Sequence, residues 1–228
     1  MSAPAVTFPD TRLARFWSAT NGKKIVMAVS GVVLFLFIVG HMIGNLQIFL
    51  GPTRLNDYAY FLKHGGLEIT WTVRTVLTVL VILHIWAAFQ LWLQKRRARP
   101  VGYVMKENIG STYASRTMYW SGPIILAFVI YHLMEFTWGV GGTPFAEADV
   151  YKTVLAGFNV KIVSGFYVFA LALLCLHLYH GVWSMFQSVG IFHPRYTPLL
   201  RALAKVVAVL IFAGYVSIPV AVLAGVLR

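Results

Sequence analysis

The chain has 228 residues, of which 59% are hydrophobic and 11% charged, whereas a soluble domain carries about 25% charged residues. Its mean hydropathy is +0.74, and the apolar residues fall into long blocks, so the chain cannot cover itself with a wettable surface. A soluble globular enzyme, a disordered chain and a secreted disulfide scaffold are all excluded. Cys175, the one cysteine, lies inside an apolar block and can form no intramolecular disulfide. The formal charge is +12, from 19 Lys+Arg against 7 Asp+Glu. Most of these cations flank apolar blocks, which points to membrane topology and anionic lipid rather than to nucleic acid.

A hydrocarbon core about 30 Å thick is crossed by roughly 20 apolar residues as helix. Five segments meet that length, at about 25–50, 72–93, 118–138, 160–187 and 202–227. The first follows a fairly polar stretch and runs too long for a signal-peptide core, so it reads as a retained span. Breakers separate the spans: Gly51-Pro52, Gly65-Gly66, Gly139 to Pro144, and His193-Pro194 to Pro198. Backbone at membrane depth must satisfy its own hydrogen bonds, so each block is expected to be helical. The fold class is therefore an all-α integral membrane protein, one bundle of five transmembrane helices with no separate soluble domain.

Charge sets the expected orientation. Four cations precede or open the first span (Arg12, Arg15, Lys23, Lys24). Six lie between the second and third (Lys95, Arg96, Arg97, Arg99, Lys106, Arg116), and three between the fourth and fifth (Arg195, Arg201, Lys205). The other side holds Arg54, Lys63, Arg74, Lys152, Lys161 and Arg228, together with Asp57, Glu68, Glu135, Glu147 and Asp149. The positive-inside rule then places the N-terminus in the cytoplasm of a multi-pass protein of the inner (cytoplasmic) membrane.

The histidines carry the functional signal. His41, His84, His132, His177 and His180 lie within the first four spans. A lone intramembrane histidine reads most simply as a core residue bonded to a neighbouring helix. At least one on each of four consecutive helices points instead to a shared ligand or pathway. At 1.5 Å rise per residue, His41 is about 24 Å and His132 about 21 Å from the cytoplasmic end of its span, and His84 and His177 are each about 15 Å. They form two layers, spans one and three outward, two and four inward. Two histidines per layer match the axial ligands of a bis-His haem, whose porphyrin fills the space between helices. Zinc or copper more often takes three or four clustered ligands. Without C-x-x-C-H the haem is expected to be non-covalent, hence b-type. On helix four, His177 and His180 share a face; depth favours His177 as the partner of His84. Gly40-x-x-x-Gly44 around His41 reads either as close approach to a cofactor or as a plain helix-packing motif.

These residues resemble the cytochrome b membrane-anchor subunit of succinate dehydrogenase and fumarate reductase (succinate:quinone oxidoreductases), in its five-helix, two-haem form. The resemblance covers nearly the whole chain. Its marks are Ser30-Gly31, Gly40-His41 to Asn45, and one histidine in each of helices two and three. His177-x-x-x-Gly181 then runs into Trp183-Ser184-x-Phe186-Gln187 and His193-Pro194-Arg195-Tyr196-Thr197-Pro198. The resemblance implies two b haems, a distal one on His41 and His132 and a proximal one on His84 and His177. It also implies a flavoprotein and an iron–sulfur subunit docked on the cytoplasmic face, where succinate is oxidised, and a quinone (menaquinone by expectation) as electron acceptor or donor. A homo-oligomer of the complex is compatible with it. His180, Trp183, Ser184, Ser30 and Lys24 are then candidates for the haem edge, the propionates or a quinone. Glu135, three residues after His132, is a candidate for quinone protonation, or else an interfacial carboxylate paired with Lys161 or solvent. Some fumarate-reducing members carry a glutamate beside the helix-four ligand; Leu174, Cys175 and Leu176 stand here instead, so no proton route is expected there. Two other readings stay open: the cytochrome b subunit of a hydrogenase or formate dehydrogenase, and a haem-free transporter with histidine relays. The orientation has a direct check: alkaline phosphatase fused after Arg228 is expected to be active, and an inactive fusion would reverse the topology.

Overall fold

The computed structural model describes residues 11–98, 101 and 111–228; Arg99 and Lys106, counted above among the basic-side cations, lie outside them. The described residues form eight α-helices and no strand: α1 (Arg12–Ser18), α2 (Thr20–Asn45), α3 (Pro52–His64), α4 (Leu67–Ala98), α5 (Tyr113–Phe136), α6 (Val150–Asn159), α7 (Lys161–Ser188) and α8 (Thr197–Leu223). A 3-10 turn, Leu46–Leu50, extends α2. Five of these helices are long and apolar enough to cross a membrane, and they correspond to the five expected blocks. Their ends fall up to five residues from the expected ones. Thr112, for example, caps the start of α5 by accepting the Ser115 N–H.

The five long helices alternate in direction. One end of the bundle gathers the start of α2, the end of α4, the start of α5, the end of α7 and the start of α8, and carries most of the cations. Arg96 lies over the Trp92 ring and Lys95 over Tyr119, whose hydroxyl it also reaches. The charged ends of these side chains thus sit beside aromatic rings at the ends of the spans, the arrangement expected at a membrane interface.

The opposite end is capped. Residues 52–64 and 150–159, expected as loops, form α3 and α6. Positive φ at Gly51 (98°) turns the chain into α3, whose first residue is Pro52. Asn56 on α3 donates to Asp149 Oδ1 (3.0 Å) and accepts from the Tyr151 N–H (3.0 Å), while Lys63 donates to the Glu147 carbonyl (2.9 Å). The Tyr151 hydroxyl donates to the Arg228 carbonyl (3.2 Å), tying the C-terminus to the same cap. Beneath it Ile48, Leu55, Phe158, Tyr167, Ile218 and Val222 form the larger apolar core. Gly44 serves this cap: a Cβ there would stand 2.6 Å from the Tyr58 hydroxyl, whereas nothing comes within 4 Å of Gly40. The Gly40/Gly44 pair is therefore not a seam between two spans.

Close packing joins α2 with α4, α2 with α7, α5 with α7, and α7 with α8. Neither α2 with α5 nor α4 with α7 packs in this way. These two helix pairs are thus separated by gaps between their backbones rather than by close packing. The cap has its own test. The Lys152 backbone N–H and the Asn56 amide both bond the Asp149 carboxylate and hold it below the ordinary aspartate range. A lowered folded-state value stabilises the cap above that range and is lost as pH falls through it. Asn56→Ala removes one of these bonds and the one to Tyr151, and is expected to cost about 1–3 kcal/mol. It is also expected to flatten the acid limb of thermal stability measured in detergent. An unchanged acid limb would show that the cap does not depend on this bond.

Candidate functional site

The two gaps are bridged by histidines. His41 of α2 meets His132 of α5 with ring centres 5.8 Å apart and planes at 86°. His84 of α4 meets His177 of α7 with ring centres 6.2 Å apart and planes at 53°. An imidazole nitrogen binds a first-row metal ion at about 2 Å, so two rings on opposite sides of one ion have centres about 6 Å apart. Both pairs lie at that separation. Among the described residues no group of three or more His, Cys, Asp or Glu gathers around one point, so each pair is a two-ligand arrangement.

The pairs stack along the bundle axis. Ser30 of α2 reaches His84, and His41 follows eleven residues later on the same helix, a rise of about 16 Å. Tyr167 of α7 reaches His132, and His177 follows ten residues later, a rise of about 15 Å. The layers are thus more widely separated than the depths counted from the span ends imply.

Each pair has one histidine whose second nitrogen is held. In the inner pair, the Ser30 hydroxyl donates to the Val26 carbonyl (2.8 Å) and is shared with that of Met27 (3.2 Å). Its oxygen is then free to accept the His84 Nδ1–H at 3.1 Å. Gly31 brings α2 close to that ring, since a Cβ there would lie 3.4 Å from His84 Cε1. The opposite histidine differs: His177 Nδ1 is buried and has no hydrogen-bond partner among the described residues. A buried polar atom left unpaired is costly.

The outer pair lies among aromatic rings. Phe37 stacks on His41 (5.3 Å between centres), Tyr215 tilts against it, and Phe128 and Phe136 flank His132. The Tyr167 hydroxyl donates to Glu135 Oε2 (2.7 Å) and lies 3.4 Å from His132 Nδ1. Thr143 donates to Glu135 Oε1 (3.3 Å).

The remaining sequence candidates separate. Glu135 is only 1% exposed, its carboxylate taken by Tyr167 and Thr143, while Lys161 is exposed at the start of α7. Among the described residues Glu135 forms no ion pair with Lys161. Lys24 is exposed; its neighbour Lys23 is the buried one, donating to the Ser18 carbonyl (3.2 Å). Trp183 is buried, with the Arg201 guanidinium 4.7 Å from its ring centre and Phe192 beside it. Ser184 and His180 are half-buried toward the basic end, His180 three residues past His177. His193 shapes its turn, accepting the Arg195 N–H at Nδ1 and stacking on Tyr196. Sequence reasoning missed Tyr167, whose signal was a hydroxyl near the outer end of α7, ten residues outward from His177 on the same helix. It also missed Ser121, a fully buried hydroxyl without a partner.

No protein-family model, curated protein or solved structure matches the chain. The functional reading therefore rests on the residues themselves. Ser121→Ala removes an unpaired buried hydroxyl, so thermal stability in detergent is expected to hold or rise. A clear fall would show that the hydroxyl has a partner.

Proposed function

We propose that this chain is the two-haem cytochrome b anchor of a succinate:quinone oxidoreductase. It carries electrons between an iron–sulfur subunit on its basic, cytoplasmic face and quinone in the membrane. The observation that carries the reading is the pair of histidine bridges, each at the spacing for two ligands of one ion and each crossing between helices that do not pack together. A flat ligand between the rings would lie between helices whose backbones are not in close contact. The unpaired, buried His177 Nδ1 also fits a ligand in that layer. Haem iron supplies the one-electron chemistry when bound.

The protein's own residues then have distinct tasks. His41 and His132 hold the outer centre, and His84 and His177 the inner one. Ser30 accepts the His84 Nδ1–H and so leaves Nε2 unprotonated and able to act as a ligand; which nitrogen is free is set by the bond at the other. The rings around His41 and His132 keep water from the outer pair. Two centres at different depths shorten the distance an electron must tunnel at each step, and tunnelling falls steeply with distance. The basic end suits acidic surfaces of soluble partners. The choice of succinate chemistry over a hydrogenase or formate dehydrogenase rests on the resemblance of the stretch from His177 to Pro198.

A complex isolated through a tag on this chain is expected to contain a flavoprotein and an iron–sulfur protein and to reduce its cytochrome when succinate is added. Cytochrome reduction by hydrogen or formate instead would assign the chain to another respiratory complex. His84→Ala and His177→Ala are expected to remove the same haem, and His41→Ala and His132→Ala the other. Loss of both from any one substitution, in a chain that still folds, would contradict the pairing.

A further inference from the structure

Tyr167 and Glu135 are buried polar residues that neither the pairing of the histidines nor electron transfer between layers requires. Both stand at the capped end of the bundle, on the two helices that meet there, α5 and α7. A tyrosine hydroxyl has one proton, and here it goes to Glu135 Oε2 at 2.7 Å. The oxygen facing His132 Nδ1 at 3.4 Å is therefore an acceptor, so His132 carries its proton on Nδ1 and leaves Nε2 unprotonated. Glu135 is itself fixed. Thr143 holds its other oxygen, a Cβ on Gly157 would lie 2.9 Å from Oε1, and Gly141 packs against its backbone. The Tyr167 ring is 4% exposed and held edge-on by Phe128 and Phe158, so the hydroxyl has little freedom to turn elsewhere.

We infer that Tyr167 is the positioning residue of the outer histidine pair, and that Glu135 fixes its hydroxyl so that His132 is backed, through one tyrosine, by a carboxylate. The inference rests on the functional reading above and goes beyond it by giving Glu135 a role other than quinone chemistry. A carboxylate behind a ligand's N–H raises the basicity of the ligand, which favours the oxidised iron. The inner pair is backed, among the described residues, by the Ser30 hydroxyl, itself committed to backbone carbonyls, and by the Met27 backbone, with no carboxylate behind them. The outer centre alone is therefore sensitive to Tyr167.

The test is an optical redox titration of the purified complex, with haem counted per chain. Tyr167→Phe deletes one oxygen and keeps the packed ring. The midpoint of the centre that His132→Ala removes is expected to move upward, and haem is expected to leave that centre at least about 10-fold more readily. The midpoint of the centre that His84→Ala removes is expected to stay put. Glu135→Gln keeps an acceptor for the tyrosine but not the charge, so the same centre is expected to move the same way by less. Ser30→Ala is expected to move only the other centre. A Tyr167→Phe complex with both haems and neither midpoint changed would overturn the inference while leaving the functional reading intact, as would equal shifts in both centres. If Tyr167→Phe does not assemble, Glu135→Gln decides by the same criterion. A wild-type complex lacking haem would overturn both readings together.

Discussion

An imidazole ring inside hydrocarbon must find a partner, and in this molecule that requirement organises the interior. The four central histidines meet in two pairs, and each pair joins helices that pack against other neighbours. α2 leans on α4 and α7, and α5 leans on α7, while α2/α5 and α4/α7 stay apart. In each of these gaps two polar rings stand with centres 5.8 and 6.2 Å apart, and the proposed ligation rests on that spacing.

The surroundings of the two pairs differ in ways that bear on function. The inner pair lies among small residues, Ser30 and Gly31 beside His84, with Ala87 of α4 fully buried. Backbone therefore approaches closely there, and one hydroxyl settles the orientation of His84. The outer pair lies among aromatic rings beneath the α3–α6 cap, and its polar support reaches back through Tyr167 to a buried carboxylate. The cap keeps that carboxylate in place: Gly141 and Gly157 admit it, Thr143 bonds it, and the Asn56–Asp149 contact closes the layer above. Local structure in the cap thus reaches the outer histidine pair beneath it.

Much of this could be read from residues alone. Five long apolar blocks are unambiguous because lipid allows few backbone solutions, and the depths of His41, His84, His132 and His177 were enough to assign layers. The α3 and α6 caps were not legible: Gly51-Pro52 and the glycines after 139 read as turns, and amphipathic segments of 13 and 10 residues carry no spanning signal. Glu135 could be placed on the His132 face, but its partner Tyr167 comes from another helix, 32 residues later. Sequence spacing within one helix cannot supply a contact set by how α5 and α7 pack. The burial of Lys23 beside an exposed Lys24 has the same origin, since α1 folds back and covers Lys23 but not its neighbour. Gly40 and Gly44 illustrate the converse, a helix-packing motif that another part of the chain uses.

The most direct measurement is a dithionite-reduced minus oxidised spectrum of the wild-type complex, with haem extracted and counted against this chain. Two low-spin b-type haems per chain are the result the paired histidines predict. A single haem would leave one of the two bridges without its ligand. A chain purified with cofactor supply intact and holding no haem would contradict electron transfer altogether and leave a transporter with histidine relays as the better description.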